Sequence, residues 1–114
     1  MTGGLIIRDA TPADRTAILD LTARAFGQLD EVEVIEKLER DGDIMLEIVA
    51  ERDGKIVGHI IFYPIGVYGK LGAVGLGPMC VDPGMKREKI GSALVMRGLE
   101  VLEASGAPLV FVLG

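Results

Sequence analysis

The five residues Leu109-Val110-Phe111-Val112-Leu113 are all apolar. An alternating strand buries one face, but a strand apolar at every position needs cover on both. This run therefore belongs in a sheet with helices on its two sides. The residues before it supply the rest of such a unit. Ile90, Ala93, Leu94, Val101 and Leu102 fall at helical spacing between Ile90 and about Ser105, and Gly106 stands where a helix C-cap belongs. Ala73 to Val81 reads as the strand ahead of that helix, with Pro83-Gly84 turning the chain. A strand–helix–strand unit of this kind closes as a right-handed parallel crossover.

The front half has a different grammar. Leu5-Ile6-Ile7-Arg8 is a short apolar strand. Thr11-Pro12-Ala13-Asp14 then offers an N-cap, a proline in the first turn and a capping-box acid, so a helix is expected to reach Phe26 and stop at Gly27. Its stripe is Ile18, Leu19, Leu21 and Ala25. A second helix is expected over 31–40, with Ile35 and Leu38 inward and Asp41-Gly42 ending it. Met45 to Glu51 and Ile56 to Tyr63 read as strands joined at Arg52-Asp53-Gly54-Lys55, because Asp-Gly is the strongest short hairpin signal. Pro64 is expected to end the second of them, and Gly66, Gly69 and Gly72 to form a looser connection. The order is β-α-α-β-β-β-α-β. The fold class is α/β (α+β), with a mixed, mostly antiparallel central sheet flanked by helices. One domain spans residues 1–114.

Composition excludes several functions. With 12 basic and 17 acidic residues the net charge is −5, a field that repels phosphate backbones, so no nucleic-acid partner is expected. A single Cys and a single His argue against an internal disulfide and against a metal site. No apolar run is long enough to span a bilayer, and Met1-Thr2-Gly3-Gly4 does not resemble a signal peptide; with an unpaired thiol, this points to the cytoplasm.

The charges are not evenly spread. Lys86, Arg87, Glu88 and Lys89 carry net +2, leaving −7 on the other 110 residues. They stand just ahead of a helix, where unpaired N–H groups already give a partial positive charge. Two readings fit: an ordinary solvated loop, or an anion site in which a phosphate or pyrophosphate resolves the conflict and Gly91 admits close backbone approach. Gly75-x-Gly77 is half a dinucleotide fingerprint, but Pro78 follows it where a helix should begin, so Gly77 reads as a bulge or kink.

This segment resembles the acetyl-CoA motif of the GNAT N-acetyltransferases. That motif runs Val-x-Pro, then Gln or Arg, then a Gly-x-Gly/Ala step into a helix. Here it stands as Val81-Asp82-Pro83 through Lys86, Lys89, Ile90 and Gly91 to Ser92. It departs at Lys86, where the family usually has Gln or Arg, and at Lys89, where it has Gly. The opening Ile7-Arg8-x-Ala10-Thr11-x-x-Asp14, the hairpin Asp53-Gly54-x-Ile56-Val57-Gly58 and Leu76-Gly77-Pro78 extend the likeness over nearly the whole chain.

The resemblance implies an acyl-CoA N-acyltransferase fold and transfer of an acetyl group from acetyl-CoA to a primary amine by direct attack. It implies that the strand backbone around Cys80 and Val81 pairs with the pantetheine arm, and that the N–H groups of Arg87, Glu88, Lys89, Ile90, Gly91 and Ser92 cradle the pyrophosphate with Lys86 nearby. The acceptor it implies is a small-molecule or peptide amine. A non-catalytic acyl-CoA-binding or interaction module with the same fold is the alternative. If Lys89 has positive φ, it is strained by about 1 kcal/mol or more.

Three residues are candidates for chemistry. His59 lies mid-strand among apolar neighbours and reads either as a core histidine with one hydrogen-bond partner or as a base suited to neutral pH. Glu47 alternates with apolar residues, as does Glu51, and both read as surface positions, Glu47 also as a base. Cys80 reads as a small buried hydrophobe beside the expected thioester.

The family usually continues past its fifth strand with a helix and two more strands, a segment in which a Tyr acid often sits, so a truncated domain is expected here. An apolar edge strand is a template for pairing, and burying a Val, Leu or Phe is worth about 1.5–3 kcal/mol. The 114-residue chain is therefore expected to form a homodimer or strand-exchanged assembly through residues 109–113. Sedimentation checks this; a stable monomer at tens of micromolar overturns it.

Overall fold

A computed structural model describes residues 4–67, 70–106 and 111–113. One five-stranded sheet organises it, in the order β1-β2-β3-β4-β5: β1 Ile6–Asp9, β2 Leu46–Arg52, β3 Lys55–Val67, β4 Lys70–Val81 and β5 Phe111–Leu113. The first four strands are mutually antiparallel, and β5 lies parallel to β4. The helices are α1 Arg15–Phe26, α2 Asp30–Arg40 and α3 Ile90–Ala104. The expected element order is the observed one, and no helix among the described residues is long and apolar enough to cross a membrane.

Strand alternation divides the core into two layers. Ile48, Ala50, Ile60, Phe62 and Val74 face α3, where Ile90, Leu94 and Leu102 meet them. Val49 and Ile61 face the other way, against Ile18 of α1 and Ile35 of α2. Asp53 (φ 51°) and Gly54 (φ 78°) make the β2–β3 turn, both left-handed, as a two-residue hairpin of this sequence requires.

Local differences have local causes. Proline suits a 3₁₀ turn, so Pro12–Asp14 forms one and the α-helix starts only at Arg15. The Asp14 carboxylate accepts the Thr11 N–H at 2.8 Å and so closes the start of the helix. Pro64 does not end β3. Strand β2 stops opposite Phe62, so β3 is an edge on that side from there on and a missing N–H breaks no ladder bond. The strand runs to Val67, and the expected loose connection is a hairpin with Gly66 opposite Leu71; Gly69 lies outside the described residues. Gly77, at φ 130°, is the expected bulge, since Gly77 and Pro78 together stand opposite Ile61 alone. Of the expected fifth strand, Leu109 and Val110 lie outside the described residues.

Gly98 lies within α3 directly over Phe62, and a Cβ there would sit 2.2 Å from the ring. Alanine in a helix gains about 1 kcal/mol over glycine. Overpacking a core costs about 1–3 kcal/mol. Phe62 is fully buried, so the second effect prevails: Gly98→Ala is expected to lower the chemical-denaturation midpoint. A raised midpoint would show that the ring has room to move.

Candidate functional site

The inner edge of β4 pairs with β3 over its length, and the described residues of β5 pair with Val74, Gly75 and Leu76 on the other edge. Past the bulge, residues 79–81 run beyond that pairing. Which of their groups face outward follows from the ladder. The Asp82 N–H donates to the Val57 carbonyl at 2.8 Å. Hydrogen-bonded pairs alternate in antiparallel sheets, so the next is His59 with Cys80. The N–H and C=O of Met79 and Val81 therefore point to the outer edge. This differs from the expectation for Cys80: its backbone is turned toward β3, and Met79, not singled out from the sequence, joins Val81 in presenting backbone groups to the outer edge.

The chain then turns through a 3₁₀ segment, Pro83–Glu88, whose first turn is held by the Asp82 carboxylate on the Gly84 N–H at 2.9 Å. Arg52, at the end of β2, forms an ion pair with Glu88 and ties down the segment's other end. Lys89 follows with φ 59° and ψ 26°, the left-handed conformation that the sequence put in question. Helix α3 starts next; its first i→i−4 bond there runs from Ala93 to Lys89, so the N–H groups of Ile90, Gly91 and Ser92 have no partner within the helix. Lys86 and Arg87 contribute backbone to this turn, and the roles expected of their side chains lie outside the described ones.

A cleft of about 680 Å³ opens between these parts. Its walls are Met79, Cys80 and Val81 of β4, Lys89, Gly91, Ser92, Val95 and Met96 at the start of α3, and Ala25 and Phe26 at the end of α1. Cys80, Val81, Lys89, Gly91 and Ser92 thus come together as expected. Ile90 does not: its side chain is fully buried in the α3 layer, and only its backbone faces the turn. Glu88 is engaged by Arg52 rather than lining the cleft. Val95 and Met96 were legible in principle, one helical turn beyond Gly91 and Ser92. Ala25 and Phe26 were not, because they come from a distant helix. A Cβ on Gly91 would meet nothing nearer than Met79 Cε at 3.6 Å.

The catalytic candidates lie on the α1 side of the sheet. Glu47 is not a surface residue: its side chain is 10% exposed. Strand β2 is interior to the sheet and α1 covers it, so an acid there needs partners. Arg15 supplies two hydrogen bonds, each 2.7 Å, and itself pairs with Glu39 of α2. His59 Nε2 lies 2.6 Å from Oε2 of the same carboxylate, the oxygen that also accepts from Arg15 Nη1. Burial pushes the Glu47 carboxyl up, but the hydrogen bonds from His59 and Arg15 outweigh it and hold it below its ordinary value. His59 is fully buried and has the single partner expected of it; its Nδ1 has none among the described residues. An unmade bond of this kind costs about 1–3 kcal/mol. Glu51 is also engaged, with Arg8, which in turn grips Asp14.

Cys80 is buried, 3.7 Å from the Thr22 hydroxyl, and burial pushes its thiol up. That is the opposite of an activated nucleophile.

The profile of the acetyltransferase (GNAT) domain matches residues 6–114. The uncharacterized N-acetyltransferase YhbS of Escherichia coli K12 is 33% identical over 112 residues, which cover 96% of this chain and 67% of that protein. YjhQ of the same organism is 32% identical over 107 residues, 59% of its length. A GNAT acetyltransferase from Brucella melitensis, crystallised with acetyl-CoA, superposes with a TM-score of 0.90 at 34% identity over 96% of this chain and 75% of that one. YhbS crystallised with CoA superposes with a TM-score of 0.90 at 30% identity, covering 63% of that chain.

The Glu47 site has a pH signature. A carboxyl held below its ordinary value stabilises the fold fully above the unfolded-state value of about 4.3, and that contribution is lost as pH falls through the folded value. Glu47→Gln removes the charge opposite Arg15 and is expected to cost about 3 kcal/mol at pH 7. The gap to wild type should shrink on acidification below pH 4, as followed by thermal unfolding. A gap that widens there would refute this reading.

Proposed function

The chain belongs to the GNAT acetyltransferase family, and from that premise we propose that it binds acetyl-CoA along the outer edge of β4 and transfers the acetyl group to a primary amine. One observation carries this reading: the outward N–H groups of Met79 and Val81 lead along one cleft to the N–H groups that open α3. An extended amide arm can add to the first as a further strand. A pyrophosphate suits the second, where Lys89 adds a cation and Gly91 leaves room.

Met79 is the residue nearest the bulge with an outward N–H, and so it is placed to polarise a thioester carbonyl as charge develops on its oxygen. The amine nitrogen attacks that carbon directly; the C–N bond forms, the C–S bond breaks, and the CoA thiolate leaves. Cys80 takes no part, because its thiol is buried and disfavoured as a thiolate. The net charge of −5 favours an acceptor that arrives as a cation, whether a small amine or a peptide. The relatives crystallised with acetyl-CoA or CoA support the cofactor.

Isothermal titration with acetyl-CoA is the direct test. Wild type should bind, and Gly91→Glu should lose at least about a hundredfold in affinity, near 2.7 kcal/mol. The added bulk and charge oppose the pyrophosphate, while the surroundings of Gly91 leave the far-UV circular dichroism unchanged. Undiminished binding by the variant would move the anion site elsewhere. Binding without thiol release across a panel of amines would favour a non-catalytic acyl-CoA module.

A further inference from the structure

We propose that His59 is the proton acceptor for the incoming ammonium, reached through one bridging water beside Cys80, with Glu47 as the positioning residue behind it. This rests on the transfer to an amine argued above. An ammonium cannot attack a thioester until it sheds a proton, so the site needs a base. Among the described lining residues the cleft offers no carboxylate and no histidine; Lys89 is a cation, and Cys80 is a buried thiol. One strand inboard stands His59, hydrogen-bond paired with Cys80 across the ladder and on the same face of the sheet. Cα atoms in such a pair are about 5.5 Å apart.

The ring's chemistry is set by its neighbours. Arg15 binds Glu47 through both carboxylate oxygens, which keeps that group an acceptor. Glu47 Oε2 lies 2.6 Å from Nε2, so Nε2 carries the hydrogen. In the neutral ring the other nitrogen is then a bare lone pair, and Nδ1 is buried without a partner among the described residues. A lone pair left unmet in the core is costly, and a proton-accepting role accounts for it. A base, a carboxylate that orients it and a cation held on that carboxylate are the arrangement that prepares an imidazole to take a proton and stabilises the imidazolium that results. The titratable or charged groups around the ring are Glu47 from β2, Arg15 from α1, Glu39 from α2 through Arg15, and Cys80 from β4.

The step balances. The ammonium gives a proton to the water, and the water gives one to Nδ1. The freed amine attacks, and the departing thiolate takes the second proton from the new C–N nitrogen. The imidazolium returns its proton to solvent.

The single histidine in the chain makes the first test direct, since the protein has one pair of imidazole nitrogens. Nitrogen-15 spectroscopy of the wild-type protein should show the neutral ring with its hydrogen on Nε2 and a bare Nδ1. The opposite tautomer overturns the proposal. The second test is His59→Gln, whose amide can still donate to Glu47 but cannot accept the proton. With a panel amine that the wild type acetylates, kcat/KM at neutral pH should fall about a hundredfold or more. The deficit should close as pH rises toward the amine's own deprotonation, with acetyl-CoA affinity by calorimetry unchanged. An unaltered rate, or a loss independent of pH that follows acetyl-CoA affinity down, refutes the role. Where the variant does not fold, or no panel amine is turned over, the wild-type spectrum decides. Failure of the wild type to bind acetyl-CoA would sink the underlying function without touching the ring's tautomer.

Discussion

Every backbone N–H and C=O removed from water needs a partner, and β4 meets that obligation on only one of its edges. Its inner edge is satisfied by β3, while on the outer edge the described residues of β5 pair with Val74, Gly75 and Leu76, ahead of the Gly77 bulge. The groups beyond the bulge are strand donors and acceptors with the geometry of a sheet and no described strand beside them. A ligand with its own amides completes the ladder. The same strand leads within eight residues into the start of α3, where a second set of N–H groups lies without helical partners. The cleft therefore joins two forms of unmet hydrogen bonding, one suited to amides and one to an anion.

The electrostatics around α1 serve this geometry. Two ion-pair clusters fasten the helix's N-terminal end to the sheet. Arg8 joins Asp14 to Glu51, and Arg15 joins Glu47 to Glu39. At the other end, Arg24 reaches Asp82, just where β4 gives way to the 3₁₀ turn. The exposed Arg24–Asp82 pair contributes little to stability, about 0–1 kcal/mol, and the buried Arg15–Glu47 pair more. Geometrically, though, they set how far α1 stands from β4, and Ala25 and Phe26 close one wall of the cleft from that helix.

How much of this was legible in the sequence depended on whether the cause was local. The Asp53-Gly54 turn, the Gly27 stop and the Gly77 bulge are written in single residues with distinctive backbone preferences, and each stands where expected. Pro64 misled because its effect depends on where the neighbouring strand ends, which is not a property of residue 64. Glu47 misled because alternation gives the face but not what covers it; Arg15, 32 positions away in the chain, decides its environment. The pairing residue came out one position off, Cys80 in place of Met79, because sequence gives the strand while the parity of its hydrogen bonds comes from a contact, Asp82 to Val57.

Lys89 shows how local cost and function meet at one residue. A lysine in the left-handed region is less favourable than glycine by about 1 kcal/mol or more, and a cation at a helix start is opposed by the helix dipole. Neither is relieved by the protein's own contacts among the described residues. The conformation is nonetheless fixed from both sides. Asp82 caps the turn before it and Glu88 is tied to Arg52, while Ile90 immediately after it is fully buried. With both neighbours pinned, residue 89 must absorb the change of direction between the 3₁₀ segment and α3. The side chain that does so lines the cleft. An anion bound to the adjacent N–H groups reverses the sign of the dipole conflict, because the lysine then faces a negative charge. The backbone strain is set by the turn and stays; the electrostatic conflict is one that an anion on those N–H groups would relieve.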